Sequence, residues 1–169
     1  MIKLFYSGTY KVRHEMINEE NVLEMLKDDM RSKIVGNVKD TVYASDGVII
    51  EKNKNVMYIG GFYYEKQDKN KTVCENVVSE ELNQIDRCNL VVANLTNYSA
   101  IASVTEIIYA AFKQKKIVLF CDPKMTSYKV EGEYWFPILT CKQLNKNIEI
   151  KFINSEEEII NYINELGEI

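Results

Sequence analysis

Residues 90–120, LVVANLTNYSAIASVTEIIYAAFKQKKIVLF, read strand, loop, helix, strand. Residues 90–93 and 117–120 are short uninterrupted apolar runs containing β-branched residues. Such runs suit strands of a parallel sheet covered on both faces. Between them Ile101, Val104, Ile108, Ala111 and Phe112 recur at helical spacing and make one apolar stripe. At about 100° per residue, Glu106 and Ser103 fall nearly opposite that stripe, and Ser99 points the same way if the first turn extends back to it. Ser99 follows Asn97 and Tyr98 and is a candidate N-cap. One small surface would then gather a hydroxyl, the amides of a helix N-terminus and a carboxylate about two turns in. Helix N-termini attract anions, phosphates included. The competing reading is a solvated helix face with a serine cap. Against it, Ala102, Ser103 and Ala110 around Glu106 are small, as they would be where something docks; Tyr109 is the exception.

Outward from this stretch the chain keeps alternating. Residues 2–8 (IKLFYSG) form a first strand ending in a glycine turn, and Val22, Leu23, Leu26 and Met30 predict an amphipathic helix over 18–31. Residues 41–65 read as strand-like, with a hairpin of 48–50 and 56–59 about the polar turn 51–55. Gly60 and Gly61, followed by aromatics, make either a ring-stacking loop or a structural bend. Residues 70–88 read as a helix with Cys74, Val77, Val78, Leu82 and Ile85 on its packing face. Glu81 lies inside that stripe and Glu80 points away. A carboxylate on a packing face calls for a reason, unless it sits at the stripe's end and reaches water. Residues 124–142 read as a loop with an aromatic cluster, 133–137 (EYWFP). Residues 148–153 alternate as a fifth strand, Ser155 and Glu158 form a capping box, and a last helix ends at Gly167. The expected fold is α/β, a flavodoxin- or Rossmann-like doubly wound and mostly parallel five-stranded sheet, folded as a single domain over residues 1–169. Ligands in such sheets bind beyond the carboxyl ends of the strands.

Composition narrows the classes. A net charge of −4 argues against a nucleic-acid partner. No apolar run approaches 18 residues and no signal-like start is present, so no membrane association and a cytoplasmic location are expected. Cys74, Cys88, Cys121 and Cys141 are widely spaced and form no zinc pattern; Cys88 and Cys121 read as inert core thiols. The lone His14 has no histidine partner for a metal site, and Lys11 and Arg13 are either phosphate-attracting or solvated loop cations.

The segment ELNQIDRCNLVVANLTNYSAIASVTEIIYAAFKQKKIVLF resembles the core of the nucleoside 2-deoxyribosyltransferase superfamily. That superfamily includes transferases that swap bases on deoxynucleosides and hydrolases that cut the N-glycosidic bond of nucleoside 5′-monophosphates. The resemblance implies that Glu106 is the catalytic nucleophile, that Glu81 is the acid handling the leaving base, and that Ser99, with Ser103 and the helix amides, holds a 5′-phosphate. It also implies that Gly8 and an aromatic of the first strand line the pocket: Phe5 fits by direct spacing, whereas Tyr6 has the hydroxyl and is the residue expected to face the site. No acid stands between Asn89 and Glu106 to bind a free 5′-hydroxyl, which favours a phosphorylated substrate. The family's glycine-rich turn is here Ala100–Thr105 without glycine. The resemblance implies a small-molecule nucleotide or nucleoside as ligand, a homodimer or higher homo-oligomer, and neither metal nor cofactor.

The expected chemistry follows. An N-glycosidic bond breaks through an oxocarbenium-like sugar that a nearby carboxylate stabilises, and the base leaves more easily if an acid protonates it. The expected protein is therefore a nucleoside 5′-monophosphate N-glycosidase. The alternatives are a base-exchanging deoxyribosyltransferase, an NAD-cleaving glycosidase, and a non-catalytic nucleotide-sensing module, which the missing glycine turn would suit.

Overall fold

The computed structural model describes residues 1–9, 19–60, 70, 72–97, 100–126 and 134–167. Its strands are β1 (Ile2–Ser7), β2 (Val48–Ile49), β3 (Val56–Tyr58), β4 (Leu90–Leu95), β5 (Lys116–Cys121) and β6 (Ile148–Phe152). Its helices are α1 (Glu19–Leu26), α2 (Met30–Val35), α3 (Val38–Val42), α4 (Val73–Arg87), α5 (Ile101–Phe112), α6 (Pro123–Thr126), α7 (Trp135–Leu144) and α8 (Glu157–Asn164), with a 3₁₀ turn at Ala44–Asp46.

The strands form one sheet in the order β2-β3-β1-β4-β5-β6. Every pairing is parallel except β2 with β3. The expected α/β sheet is therefore present, with six strands rather than five because both arms of the 48–59 hairpin enter it. The apolar runs of β4 and β5 are buried throughout, apart from Lys116, as strands covered on both sides must be. One face packs Leu4, Tyr6, Val92 and Phe120 against α2 and α8; the other packs Phe5, Val91, Ala93 and Leu119 against Ile85 of α4, Ile107 of α5 and Ile138 of α7.

Four expectations are corrected. The helix expected over 18–31 is two helices. Asp29, in extended backbone, accepts from the Arg31 amide at 2.8 Å and starts α2 afresh. Residues 41–46 are helical, not strand-like. Gly36 closes α2 at φ 92°, and Asn37 then caps α3 by accepting from the Asp40 amide at 3.0 Å. The expected loop over 124–142 carries α6 and α7; Pro137 sits in the first turn of α7, where its missing N–H costs nothing. On α4 the Val78 side chain, placed on the packing face by spacing, is 56% exposed, while Asn76 and Gln84 are buried.

The last helix ends at Asn164, before Gly167, for a tertiary reason. The buried Asn53, in the β2–β3 turn, donates to the carbonyls of Ile163, Asn164 and Leu166 at 3.2, 3.1 and 2.8 Å. Of the expected capping box, Glu158 supplies its half by accepting from the Ser155 amide at 3.2 Å. Asn53→Ala would orphan the carbonyls at that helix end. It is expected to lower stability by about 1–3 kcal/mol, read as a lower urea midpoint at unchanged slope.

Candidate functional site

The site is built where the chain reverses its winding. From β1 the sheet grows outward through β3 on one side and through β4, β5 and β6 on the other. β1 and β4 are therefore the switch-point strands, and ligands in such sheets bind beyond the carboxyl ends of strands at this place. Ser7 and Ala93 are register partners there, and Tyr6 pairs with Val92.

α5 begins directly above this point, with Ala100 at its N-cap. Its buried face is Ser103, Glu106, Ile107, Ala110 and Ala111. This turns the helix relative to the expected stripe. Ile101 and Phe112 are 79% and 67% exposed, and Glu106 is only 6% exposed. The solvated-face reading of Glu106 is thus excluded. Its carboxylate accepts a hydrogen bond on Oε2 from the hydroxyl of Ser7, which is itself fully buried. A buried carboxylate is costly without such partners.

Glu81 is carried by α4. Its side chain is 5% exposed, so it does not reach water at the end of the stripe. Ile85, one turn further on, belongs to the apolar cluster that contains Phe5 of β1. One helical turn and two strand residues cover similar distances, about 5–7 Å. Glu81 and Ser7, which shares its face of β1 with Phe5, therefore lie at similar heights. A second tie gives the same level. The Tyr109 hydroxyl donates to Asp86 Oδ2 at 3.0 Å and Lys113 Nζ lies 3.1 Å from Asp86 Oδ1. α4 and α5 both connect parallel strands and run the same way, so five residues back from this tie brings Glu81 level with residues 104–108 of α5.

Tyr6 is placed differently from the other site residues. It alternates to the opposite face from Phe5 and Ser7, so Phe5 rather than Tyr6 shares the Glu106 side. The Tyr6 hydroxyl accepts from Asn94 Nδ2 at 3.2 Å, and Asn94 Nδ2 also donates to Glu156 at 2.8 Å. The Arg31 guanidinium lies 5.3 Å from the Tyr6 ring centre, pairs with Asp29 at 3.0 Å and donates to the Gly8 carbonyl at 2.6 Å. Gly8 is a glycine because the Tyr6 ring folds over it: a Cβ there would lie 2.8 Å from the tyrosine hydroxyl. Gly60 stands under the Tyr58 ring in the same way, at the end of β3. Tyr6 and Gly8 thus border the switch point from the α2 side, and Ser7, Ser103 and Glu106 from the α5 side. Ser7 and Asn94 had no signal in the sequence beyond their position at strand ends.

Burial pushes the Tyr6 phenol up to about 12, the nearby Arg31 charge opposing this only in part. Burial likewise raises the thiols of Cys88, Cys121 and Cys141 to about 11, 12 and 11, consistent with inert core cysteines. A group that holds its proton more firmly when folded stabilises the fold below its unfolded pKa and stops doing so as the pH rises through its folded one. Stability is therefore expected to fall from about pH 9 for the thiols and from about pH 10 for Tyr6. The Tyr6 part amounts to roughly 2–3 kcal/mol by pH 12. Tyr6→Phe should flatten that decline in urea titrations at successive pH values.

Ser99, Lys11, Arg13, His14, Cys74's side chain, Gly61 and the aromatics after it, and Glu133 lie outside what the structure describes. Tyr134, from the aromatic cluster, ties to the start of α5: its hydroxyl donates to the Asn97 carbonyl and accepts from the Ala100 amide at 3.1 Å. A groove of about 530 Å³ along β6 and α8 is lined by Phe120, Lys151, Phe152 and Tyr162, and neither Ser7 nor Glu106 borders it. Among the described residues no helix is long and apolar enough to cross a membrane.

No family model and no curated protein matches the chain. Solved structures resemble the chain, two of them as follows. The Clostridium botulinum CMP N-glycosidase BcmB superposes with a TM-score of 0.52 at 14% identity, over 96% of this chain and 97% of that one. A conserved protein from Enterococcus faecalis V583 gives a TM-score of 0.49 at 13% identity, over 96% and 97%. The first likeness establishes that this chain has the α/β fold of a CMP N-glycosidase.

Proposed function

We propose that the protein is a hydrolase that cleaves the N-glycosidic bond of a nucleoside 5′-monophosphate. The observation that carries this reading is Glu106: a carboxylate taken out of water and held by a buried hydroxyl at the switch point of the sheet. The fold shared with a CMP N-glycosidase supports it. In the proposed reaction the C1′–N bond breaks and its electron pair leaves with the base, which takes a proton from Glu81. Glu106 stabilises the sugar cation or bonds to C1′. Water then attacks C1′, breaking the C1′–O bond and returning its electron pair to the Glu106 carboxylate where that bond had formed, and gives up a proton that restores Glu81. One nucleotide and one water yield one free base and one pentose 5-phosphate. Ser103, Ser99 and the N-terminal amides of α5 would hold the phosphate, and Tyr6 and Gly8 would border the pocket.

Chromatography of the wild-type protein incubated with nucleoside monophosphates, deoxynucleosides paired with a second base, and NAD tests the assignment. Release of a base from a monophosphate alone is expected. Base exchange between unphosphorylated deoxynucleosides would replace the hydrolase with a transferase, nicotinamide release would make it an NAD glycosidase, and recovery of every compound intact would leave a nucleotide-binding module.

The same reading includes a homodimer. Ile101 and Phe112 of α5 and Trp135, Phe136 and Leu139 of α7 are exposed on two helices packed together, and monomers rarely expose apolar patches beyond a few hundred Å². A second copy would cover them. Sedimentation equilibrium at micromolar concentration is expected to give the dimer mass, and Phe136→Glu to shift it towards monomer; a monomer mass for the wild type contradicts the dimer.

A further inference from the structure

Ser7 was singled out by nothing in the sequence, yet its hydroxyl is the group the structure places against the Glu106 carboxylate. We propose that Ser7 is the positioning residue of Glu106, an inference that rests on the hydrolase reading above. Ser7 is the last residue of β1 and the register partner of Ala93 in β4, which fixes its place at the end of the central strands, and its side chain is fully buried. Glu106 comes from a separate element, α5, ninety-nine residues along the chain. A glutamate has three rotatable side-chain bonds, and a carboxylate free to turn about them would present its oxygens in many directions.

The Ser7 hydroxyl narrows that freedom: by donating to Oε2 it holds one carboxylate oxygen against the end of β1. It does so from the strand edge over which a substrate would lie. The proton stays on Ser7 throughout, and the serine forms no bond to the sugar. Precise placement of a reacting group matters because a displacement of about 1 Å can cost on the order of 100-fold in rate. The bond also offsets part of the cost of burying the glutamate charge. The face of α5 that carries Glu106 also buries Ser103, Ile107, Ala110 and Ala111.

The experiment compares wild type, Ser7→Ala, Ser7→Thr, Glu106→Gln, Glu106→Ala and the Ser7→Ala/Glu106→Ala double variant, the last forming the unfolding cycle because Glu106→Ala removes the acceptor. Two readouts are taken: steady-state base release from the monophosphate that the wild type cleaves, and urea unfolding. Ser7→Ala is expected to lower kcat by roughly 10–100-fold with KM within about twofold. Ser7→Thr, which keeps the hydroxyl, should recover most of the loss. The unfolding constants are expected to be non-additive by about tenfold or more, as for two directly bonded groups. A wild-type kcat in Ser7→Ala, with Glu106→Gln inactive, overturns the Ser7 proposal and leaves the hydrolase standing. A raised KM at unchanged kcat overturns it too, by showing that Ser7 touches substrate. If the wild type cleaves no monophosphate, the hydrolase reading fails and takes the catalytic role of Ser7 with it, and the unfolding cycle still decides whether the serine holds the glutamate. Additive unfolding constants contradict the proposal in every case.

Discussion

Glu106→Gln is expected to lower kcat for base release by about 10³-fold or more, with KM little changed. The substitution keeps the volume and leaves an amide oxygen able to accept from Ser7, so the buried hydrogen bond that ties α5 to β1 survives. What it removes is the negative charge that faces the developing sugar cation. The loss should therefore fall on the transition state and not on substrate binding. Thermal unfolding of the variant should lie within a few degrees of wild type, which separates lost chemistry from lost fold. A variant that keeps more than a third of wild-type kcat would show that the glycosidic bond breaks without this carboxylate.

Glu81→Gln is expected to cost about 10²–10³-fold in kcat on natural nucleotides. In the proposed reaction Glu81 protonates the departing base, and that need depends on the base. With an activated leaving group, such as nitrophenyl ribose 5-phosphate, protonation contributes little, so the same variant should lose less than about tenfold. Glu106→Gln should be crippled on both substrates. This contrast assigns the two carboxylates to different steps. If Glu81→Gln lost equal activity on both, Glu81 would be a structural carboxylate of α4 and the acid would have to come from elsewhere.

The two glutamates were legible in the sequence for different reasons, and one of those reasons was mistaken. Glu81 was found because a carboxylate lay among Val77, Leu82 and Ile85, and the structure buries it there. Glu106 was placed opposite an apolar stripe, facing outward, and it faces inward. The stripe misled because size is a poor guide to the packing face of a helix seated close to a sheet. Ala100, Ser103, Ala110 and Ala111 are small enough to let α5 approach β1 and β4, while Ile101 and Phe112 are left outside. Glu106 is buried with the small residues, where a polar partner becomes necessary, and Ser7 is that partner.

The same limits explain the rest. β1, β4 and β5 were plain because strands covered on both faces are uniformly apolar. The helix over 38–42 was missed because Val38, Thr41 and Val42 favour strands, and what decides the matter is a local cap at Asn37. α7 was missed because aromatics and a proline look like a loop, although proline is harmless in a first turn. The break between α1 and α2 rests on the Asp29 cap, which hydrophobic periodicity does not register. Phe5 and Tyr6 were never separable by sequence: alternation says only that they oppose each other, and the side chosen by Glu106 is set by which face α5 crosses.

The most direct test of the account is a paired incubation of wild type and Glu106→Gln with cytidine 5′-monophosphate and the other nucleoside monophosphates, with free base and pentose 5-phosphate quantified together. The account predicts equal amounts of both products from at least one monophosphate with the wild type, and none above background with the variant. Equal product yields from the two proteins, or no product from either, would contradict it.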